Sequence, residues 1–283
     1  MGNNRVTVAM PVYNGMPHVT AAVESVLNQT YEQLELVIID DGSGDGTGDY
    51  LRALDDPRIV LSPNPENLGV EGAWNRALDQ AERSPYWKLL CADDLLYPHC
   101  IATEVAALDA HPEAAMTASR RTMIDDEGNT LVKARGLAGM SGLVDGPAAV
   151  RRSIACGTNV LGEPSSVLVR SSAAKAAGRF SAAHKYCIDF DMWARVLQQG
   201  KLYAVRDPLS AFRVGALSDS LATAQHHRTM VVGEFRKLVE TQPGLAIDRP
   251  TLYAGMAMAA GLAAARKGFY AWLDVRKRLQ PSR

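Results

Sequence analysis

Acidic residues stand in this chain where apolar runs begin or end. Asp93-Asp94 closes WKLLCADD, Asp40-Asp41 closes LELVIIDD, and Asp189 and Asp191 open DFDMWARVLQQG. Neighbouring carboxylates at a strand end repel each other and gain little from packing. A hard divalent cation resolves the repulsion, and Mg2+ characteristically binds through one or two carboxylates together with substrate phosphates. Such an ion neutralises charge on a diphosphate leaving group. The alternative for Asp93 and Asp94 is a turn whose acid caps the next helix. Asp40 and Asp41 precede Gly42-Ser43, so a carboxylate there can reach a base or ribose held above the strand, or can close an Asx turn. Tyr13, just after Pro11, offers a flat face for a base or a packing surface. Asp189 suits a general base that takes a proton from an acceptor hydroxyl, and both Asp189 and Asp191 also suit ordinary capping near a helix N-terminus. Trp193 either walls an acceptor site or belongs to the core. His184, His226 and His227 lack metal-ligand spacing and read as surface or loop residues.

These groups need a frame. Val6–Met10 and Leu34–Ile39 are apolar, β-branched runs, each followed by a turn signal, Tyr13-Asn14-Gly15 and Asp41-Gly42-Ser43. Helical spacing over residues 17–28 puts Val19, Ala22, Val23, Val26 and Leu27 on one face. Further helices are expected over 47–54 and 72–84, and further strands over 59–61 and 86–91. Strand and helix thus alternate with short connections through the first hundred residues, which argues for an open, mostly parallel sheet with helices on both faces. Ligands bind such sheets at the carboxyl ends of the strands. Those ends carry Tyr13-Asn14, Asp40-Asp41 and Asp93-Asp94, three polar clusters expected in one crevice. The second half is less regular: a hairpin within 123–144, a helix over 145–155, strands over 165–169 and 201–205, a helix over 189–199, and a mostly helical stretch from Asp219 to the end.

Bulk composition agrees with a folded domain of this kind. Of 283 residues, 47% are hydrophobic and 22% charged, enough to fill a core and unlike a disordered chain. The net charge of -1 gives no basic excess to attract nucleic acid. Four scattered cysteines without a C-x-x-C pair read as reduced thiols of a cytoplasmic protein. No run reaches the roughly 18 apolar residues of a membrane span. The last segment, Leu252–Leu279, mixes apolar residues with Arg266, Lys267, Arg276, Lys277 and Arg278. It reads as a helix packed on the catalytic part or a partner subunit, or as a basic amphipathic helix lying at the inner face of a membrane.

In combination these segments resemble the family 2 glycosyltransferases. VTVAMPVYNG (Val6–Gly15), SVLNQTYEQLELVIIDDGSGDGT (Ser25–Thr47), NLGVEGAWNRAL (Asn67–Leu78), WKLLCADDLLYP (Trp87–Pro98), DFDMWARVLQQG (Asp189–Gly200) and FRVGALSDS (Phe212–Ser220) stand in the family's order. The resemblance covers residues 5–220. It implies a GT-A fold, an α/β nucleotide-binding architecture whose mostly parallel central sheet is flanked by helices. Residues 1–100 would be the nucleotide-sugar half, 101–220 the acceptor half, and 221–283 a helical C-terminal extension. It implies an inverting enzyme that moves a sugar from a nucleoside-diphosphate sugar, UDP-sugar favoured, to a saccharide, lipid-linked or other hydroxyl acceptor in polysaccharide or glycoconjugate synthesis. By the same resemblance Pro11, Tyr13, Asp41 and Asp93 meet the nucleotide, Asp40 supports the turn, and Asp94 with Asp93 holds Mg2+ or Mn2+. Asp189 is the catalytic base. Arg213 touches the diphosphate or orders the closing loop, and Asp191 and Trp193 are further diphosphate or acceptor contacts.

The chain departs from the family pattern in three places. Cys91 stands where many relatives carry an acid, Ile188 where many carry an acid before the base, and Val214-Gly215 where a His often follows the Arg. These departures leave room for a degenerate binding protein. A nucleotidyltransferase is the rival enzyme, but PVYNGMPH replaces the Gly-rich basic phosphate loop expected there.

Overall fold

The computed structural model describes residues 5–214 and 227–279, with side chains described as far as Ala265 in the last helix. The 215–220 part of the closing segment, the beginning of the helical stretch at 221–226 and the basic side chains of Arg266, Lys267, Arg276, Lys277 and Arg278 lie outside the described residues or side chains.

Ten strands form one sheet. They are β1 (Val6–Val12), β2 (Leu34–Asp40), β3 (Ile59–Leu61), β4 (Tyr86–Leu89), β5 (Leu95–Leu96), β6 (Ala114–Ile124), β7 (Thr130–Arg135), β8 (Gly142–Val144), β9 (Val167–Arg170) and β10 (Lys201–Arg213). The spatial order is β3-β2-β1-β4-β9-β6-β10-β5, with β7 beside β6 and β8 beside β10. Strands β3, β2, β1 and β4 are mutually parallel. β9 runs antiparallel between β4 and β6, and β6 and β10 are parallel again. Six of the ten strands therefore point one way, the mostly parallel sheet expected from the sequence.

Side-chain alternation divides the core into two layers. Ala9, Val37, Ile39, Trp87 and Leu89 face a layer with Trp193, Phe190 and Phe235; Val8, Met10, Leu36 and Ile38 face one with Val19, Val23, Ile101 and Leu108. The second layer is closed by helices α1 (His18–Leu27), α2 (Thr47–Arg52) and α4 (Cys100–Ala110). The first is closed by α3 (Gly69–Asp79), α5 (Gly146–Ala155), α6 (Ser171–Ala177), α7 (Ile188–Val196) and α8 (His227–Thr241). On α1 Val19, Ala22, Val23 and Val26 are buried, as the periodicity predicts, and Leu27, expected on the same face, is half-buried at its edge. α5 begins on Asp145, whose carboxylate accepts the Ala148 N–H at 3.0 Å.

One strand, and the far part of another expected over 201–205 only, were hidden in the sequence. β6, AAMTASRRTMI, has too few β-branched residues to announce itself. β10 runs on to Arg213 through Arg206-Asp207-Pro208, which reads as a stop. Register shifts on both sides of Pro208 absorb the residue that cannot donate to the ladder. The helical extension is not separate from the catalytic part. Val231, Phe235, Leu238, Leu245 and Ala259 share the first core layer, and α9 (Arg249–Leu279) packs on α5 and α8. Gly157 (φ +68°) permits that approach, because a Cβ there would lie 2.4 Å from the Ala259 nitrogen. The outer side of α9 leaves Tyr253 and Met258 exposed. Among the described residues no helix is long and apolar enough to cross a membrane.

Candidate active site

A cleft of about 700 Å3 opens at the carboxyl ends of β1, β2 and β4. Pro11, Tyr13, Asp41, Cys91, Asp93, Arg121, Glu163, Asp189 and Arg213 all border it. Residues separated by most of the chain therefore share one cavity.

At the β1–β2 end, the Tyr13-Asn14-Gly15 turn is stitched to the loop after β2. Asn14 N–H donates to Ser43 Oγ at 2.9 Å, Gly44 N–H to Asn14 Oδ1 at 2.9 Å and Gly15 N–H to Thr47 Oγ1 at 2.9 Å. Asp40 accepts the Ser43 N–H at 3.1 Å and so supports that loop. Tyr13 is left 54% exposed on the rim, a flat face open to a base. Asp41 sits deeper and is buried. It accepts from Asn64 Nδ2 at 2.7 Å, from Leu68 N–H at 3.0 Å and from Gly69 N–H at 3.1 Å. Gly69 reaches it with φ +70°, a backbone conformation that glycine adopts at little cost. Asp41 thus anchors the start of α3 and still borders the cleft.

At the β4 end, Cys91 Sγ and one oxygen each of Asp93 and Asp94 lie within 4.8 Å of one another. Cys91 and Asp93 border the cleft, and Asp94 is fully buried behind them. Asp94 Oδ1 accepts the Arg213 N–H at 3.0 Å. Its Oδ2 is buried without a hydrogen bond of good geometry, the Ser165 hydroxyl lying near it. Burial first, and then the Asp93 charge, push the Asp94 carboxyl well above the usual range. Burial first, and then the charges of Asp94 and Asp93, push the Cys91 thiol up. Two carboxylates, one with a buried oxygen that lacks a hydrogen bond, fit a hard divalent cation, and the Cys91 sulfur lies beside them.

Asp189 borders the cleft from the first turn of α7. Its Oδ1 accepts the Phe190 N–H at 2.7 Å and its Oδ2 accepts from Asn159 Nδ2 at 2.9 Å. Burial is the main cause lifting its carboxyl to about 7, and the nearby Glu163 charge adds to the rise.

Two of the expected contacts lie off the cleft, and one histidine expected at the surface is buried. Asp191 points away from the cleft into a buried ion cluster, with Lys237 at 2.6 Å and Arg195 at 2.7 Å. One helical step of two residues puts it on the opposite side of α7 from Asp189. Trp193 is fully buried and does not border the cleft; its Nε1 donates to the Gly162 carbonyl at 3.2 Å. Arg213 does border it, but its Nε donates to Asp93 O at 2.9 Å and its Nη1 to Asp125 O and Asp126 O at 2.8 Å each. Those bonds order the loops after β4 and β6, a loop-ordering role of the kind expected as one of two for Arg213. His227 is also not a surface residue: it is buried and stacks on Tyr186 with centroids 3.8 Å apart. Asn159, Glu163 and Arg121 border the site without a sequence signal, since they sit in irregular stretches or in the unannounced strand β6.

The profile of "Glycosyl transferase family 2" matches residues 7–158, more than half of the chain. The chain belongs to glycosyl transferase family 2. Among its relatives is the putative glycosyltransferase EpsE of Bacillus subtilis, 26% identical over 78% of this chain and 79% of EpsE. Two solved structures share the fold. S. aureus TarS 1-349 in complex with UDP-GlcNAc has a TM-score of 0.61 and 16% identity, covering 82% of this chain and 66% of that one. The mannosyltransferase PcManGT from Pyrobaculum calidifontis, in complex with GDP-Man and Mn2+, has a TM-score of 0.57 and 18% identity, covering 96% and 80%. The fold is that of the GT-A glycosyltransferases, and the family assignment makes this chain a glycosyltransferase rather than a nucleotidyltransferase.

Proposed function

We propose that this glycosyltransferase moves a sugar from a nucleoside-diphosphate sugar, UDP-sugar favoured, to an acceptor hydroxyl with inversion at the anomeric carbon. The observation that carries the reading is the shared cleft: Tyr13 and Asp41 at the ends of β1 and β2, Asp93 after β4 with Asp94 buried behind it, and Asp189 in the first turn of α7. Tyr13 stacks on the base, Asp41 accepts from it, Pro11 lines the base site, and Asp93 meets the ribose and the cation. The UDP-GlcNAc complex of TarS and the GDP-mannose complex of PcManGT support a nucleotide-sugar donor in this fold. Asp93 and Asp94 would hold Mg2+ or Mn2+, which when bound supplies positive charge against the departing diphosphate.

Asp189 takes the proton of the acceptor hydroxyl as its oxygen bonds to the anomeric carbon. The bond from that carbon to the diphosphate oxygen breaks, its electron pair leaves with the nucleoside diphosphate, and Asp189 ends protonated. A single displacement inverts the centre. A carboxyl near 7 is well matched to this task at neutral pH, because proton acceptance and a deprotonated resting state are balanced.

The test is Asp189→Asn assayed with a panel of UDP-, GDP- and TDP-sugars. The variant keeps nucleotide binding by calorimetry and loses transfer by about 100-fold or more. Turnover equal to wild type would remove Asp189 as the base. Nucleotide binding by the wild type without transfer or donor hydrolysis would instead favour a degenerate binder.

A further inference from the structure

Asn159 lies in the loop between α5 and β9 and borders the cleft. Its Nδ2 donates both to Asp189 Oδ2 at 2.9 Å and to the Gly162 carbonyl at 3.0 Å. Its Oδ1 accepts the N–H groups of Leu161 at 3.0 Å and Gly162 at 3.2 Å. The amide cannot be turned end for end. Reversed, it would set an NH2 against two N–H donors and an oxygen against a carbonyl and a carboxylate. The donor facing Asp189 is therefore fixed by four contacts, not chosen by one.

The holding extends inward. The Gly162 carbonyl also accepts from Trp193 Nε1, so the buried indole of α7 pins the loop that pins Asn159. The other oxygen of Asp189 is tied to the Phe190 N–H. Each carboxylate oxygen thus carries one anchoring donor and keeps lone-pair capacity for an incoming hydroxyl. Glu163, four residues past Asn159 in the same loop, is paired with Arg121, whose Nη2 donates to it at 2.8 Å.

We propose that Asn159 is the positioning residue of the transfer reaction, holding the Asp189 carboxylate at the orientation from which it meets the acceptor hydroxyl. The proposal rests on Asp189 being the base. A charge-assisted hydrogen bond of this kind contributes to the ionised form and to its direction at once. Losing it destabilises the ionised form, so that the carboxylate takes up a proton at higher pH, and lets the carboxylate rotate.

Two variants test it. Asn159→Asp is nearly isosteric and keeps an oxygen for Leu161 and Gly162, but it presents Asp189 with an acceptor. Asn159→Ala removes donor and acceptor together. Both are compared with wild type and Asp189→Asn for UDP affinity by calorimetry, for kcat and donor KM, and for the pH dependence of kcat/KM. In both, kcat is expected to fall about 10- to 100-fold, the range of a hydrogen bond to a charged group. Donor KM and UDP affinity stay at wild-type values, and the acid limb of the pH profile moves to higher pH. A merely structural residue would lower the melting temperature without moving that limb. A folded Asn159→Asp protein with wild-type kcat and acid limb overturns the proposal, and so does one that cannot fold, because Asn159 would then serve the turn alone. If Asp189→Asn itself turns over normally, the base assignment falls; if only Asp189→Asn is impaired, Asn159's role falls by itself.

Discussion

Asp94 Oδ1 and the backbone N–H of Arg213 meet at 3.0 Å across 119 residues of sequence. The contact exists because β5, only Leu95–Leu96, pairs antiparallel with Ser210 and Ala211 of β10. Arg213 then turns its side chain back over the Asp93 carbonyl and the Asp125 and Asp126 carbonyls. The acidic pair at the end of β4 is thus held in place by the end of β10 and by the β6–β7 hairpin.

Arg213→Lys keeps the charge but cannot span three carbonyls, since an ammonium lacks the planar fork. The expected outcome is a loss of about 1–2 kcal/mol in urea unfolding, from part-buried carbonyls left unpaired. Mn2+ should bind more weakly by titration calorimetry, because Asp93 and Asp94 lose their support. Unchanged Mn2+ affinity in a destabilised protein would separate the loop-ordering role from the metal site.

Chelation tests the carboxylate pair directly. Transfer should stop when divalent ions are stripped with EDTA and return on adding Mg2+ or Mn2+. Asp94→Asn removes a ligand charge at nearly constant volume and should cost about 100-fold or more in kcat, the scale of several kcal/mol of charge stabilisation. Full activity in EDTA would remove the metal role from Asp93 and Asp94.

The pH dependence follows from Asp189, whose carboxyl stands at about 7 because it is buried beside Glu163. The base must be ionised, so kcat/KM should decline as pH falls below about 7. Stability runs the opposite way. The folded value lies above the unfolded value near 4, so the folded state binds the proton more tightly. That contribution is fully present below pH 4 and is lost as pH rises through 7. Asp189→Asn should therefore unfold at higher temperature than wild type at pH 8, by on the order of 1–3 kcal/mol, with the advantage fading toward pH 4. A flat difference across that range would place the raised carboxyl elsewhere.

The first half of the chain was legible because its signals are local. LELVII is buried along its whole length, and each apolar run stops at the residues that border the cleft. Asp41, Asp93 and Asp189 stand at strand ends and a helix start, where turns and caps also use acids, and the ordered family segments around them singled them out. Asp191 and Trp193 could not be sorted by the same means. Both fit the helical period, and only the position of α8, with Lys237 on one side, decides that Asp191 faces an ion cluster. Asn159 gave no signal, since what it does depends on Asp189 thirty residues later. Strand β6 was missed for its Ala, Ser and Arg content, although it delivers Arg121 to the site.

Asp41 joins two roles that a pair of measurements can part. Its carboxylate takes one side-chain and two backbone donors, from Asn64, Leu68 and Gly69. Asp41→Asn keeps one oxygen for Asn64 and Leu68 but turns an NH2 toward the Gly69 N–H, donor against donor. The start of α3 should loosen, at a cost of about 1–3 kcal/mol in thermal or urea unfolding. If Asp41 also accepts from the base, UDP affinity by calorimetry should fall about 10-fold, the worth of one such bond. Donor KM should rise with kcat nearly unchanged, because the lost contact serves ground state and transition state alike. A protein that unfolds earlier yet binds UDP as tightly as wild type would show that Asp41 only fastens α3 to the sheet, and the base would have to be read by Tyr13 and the backbone around it.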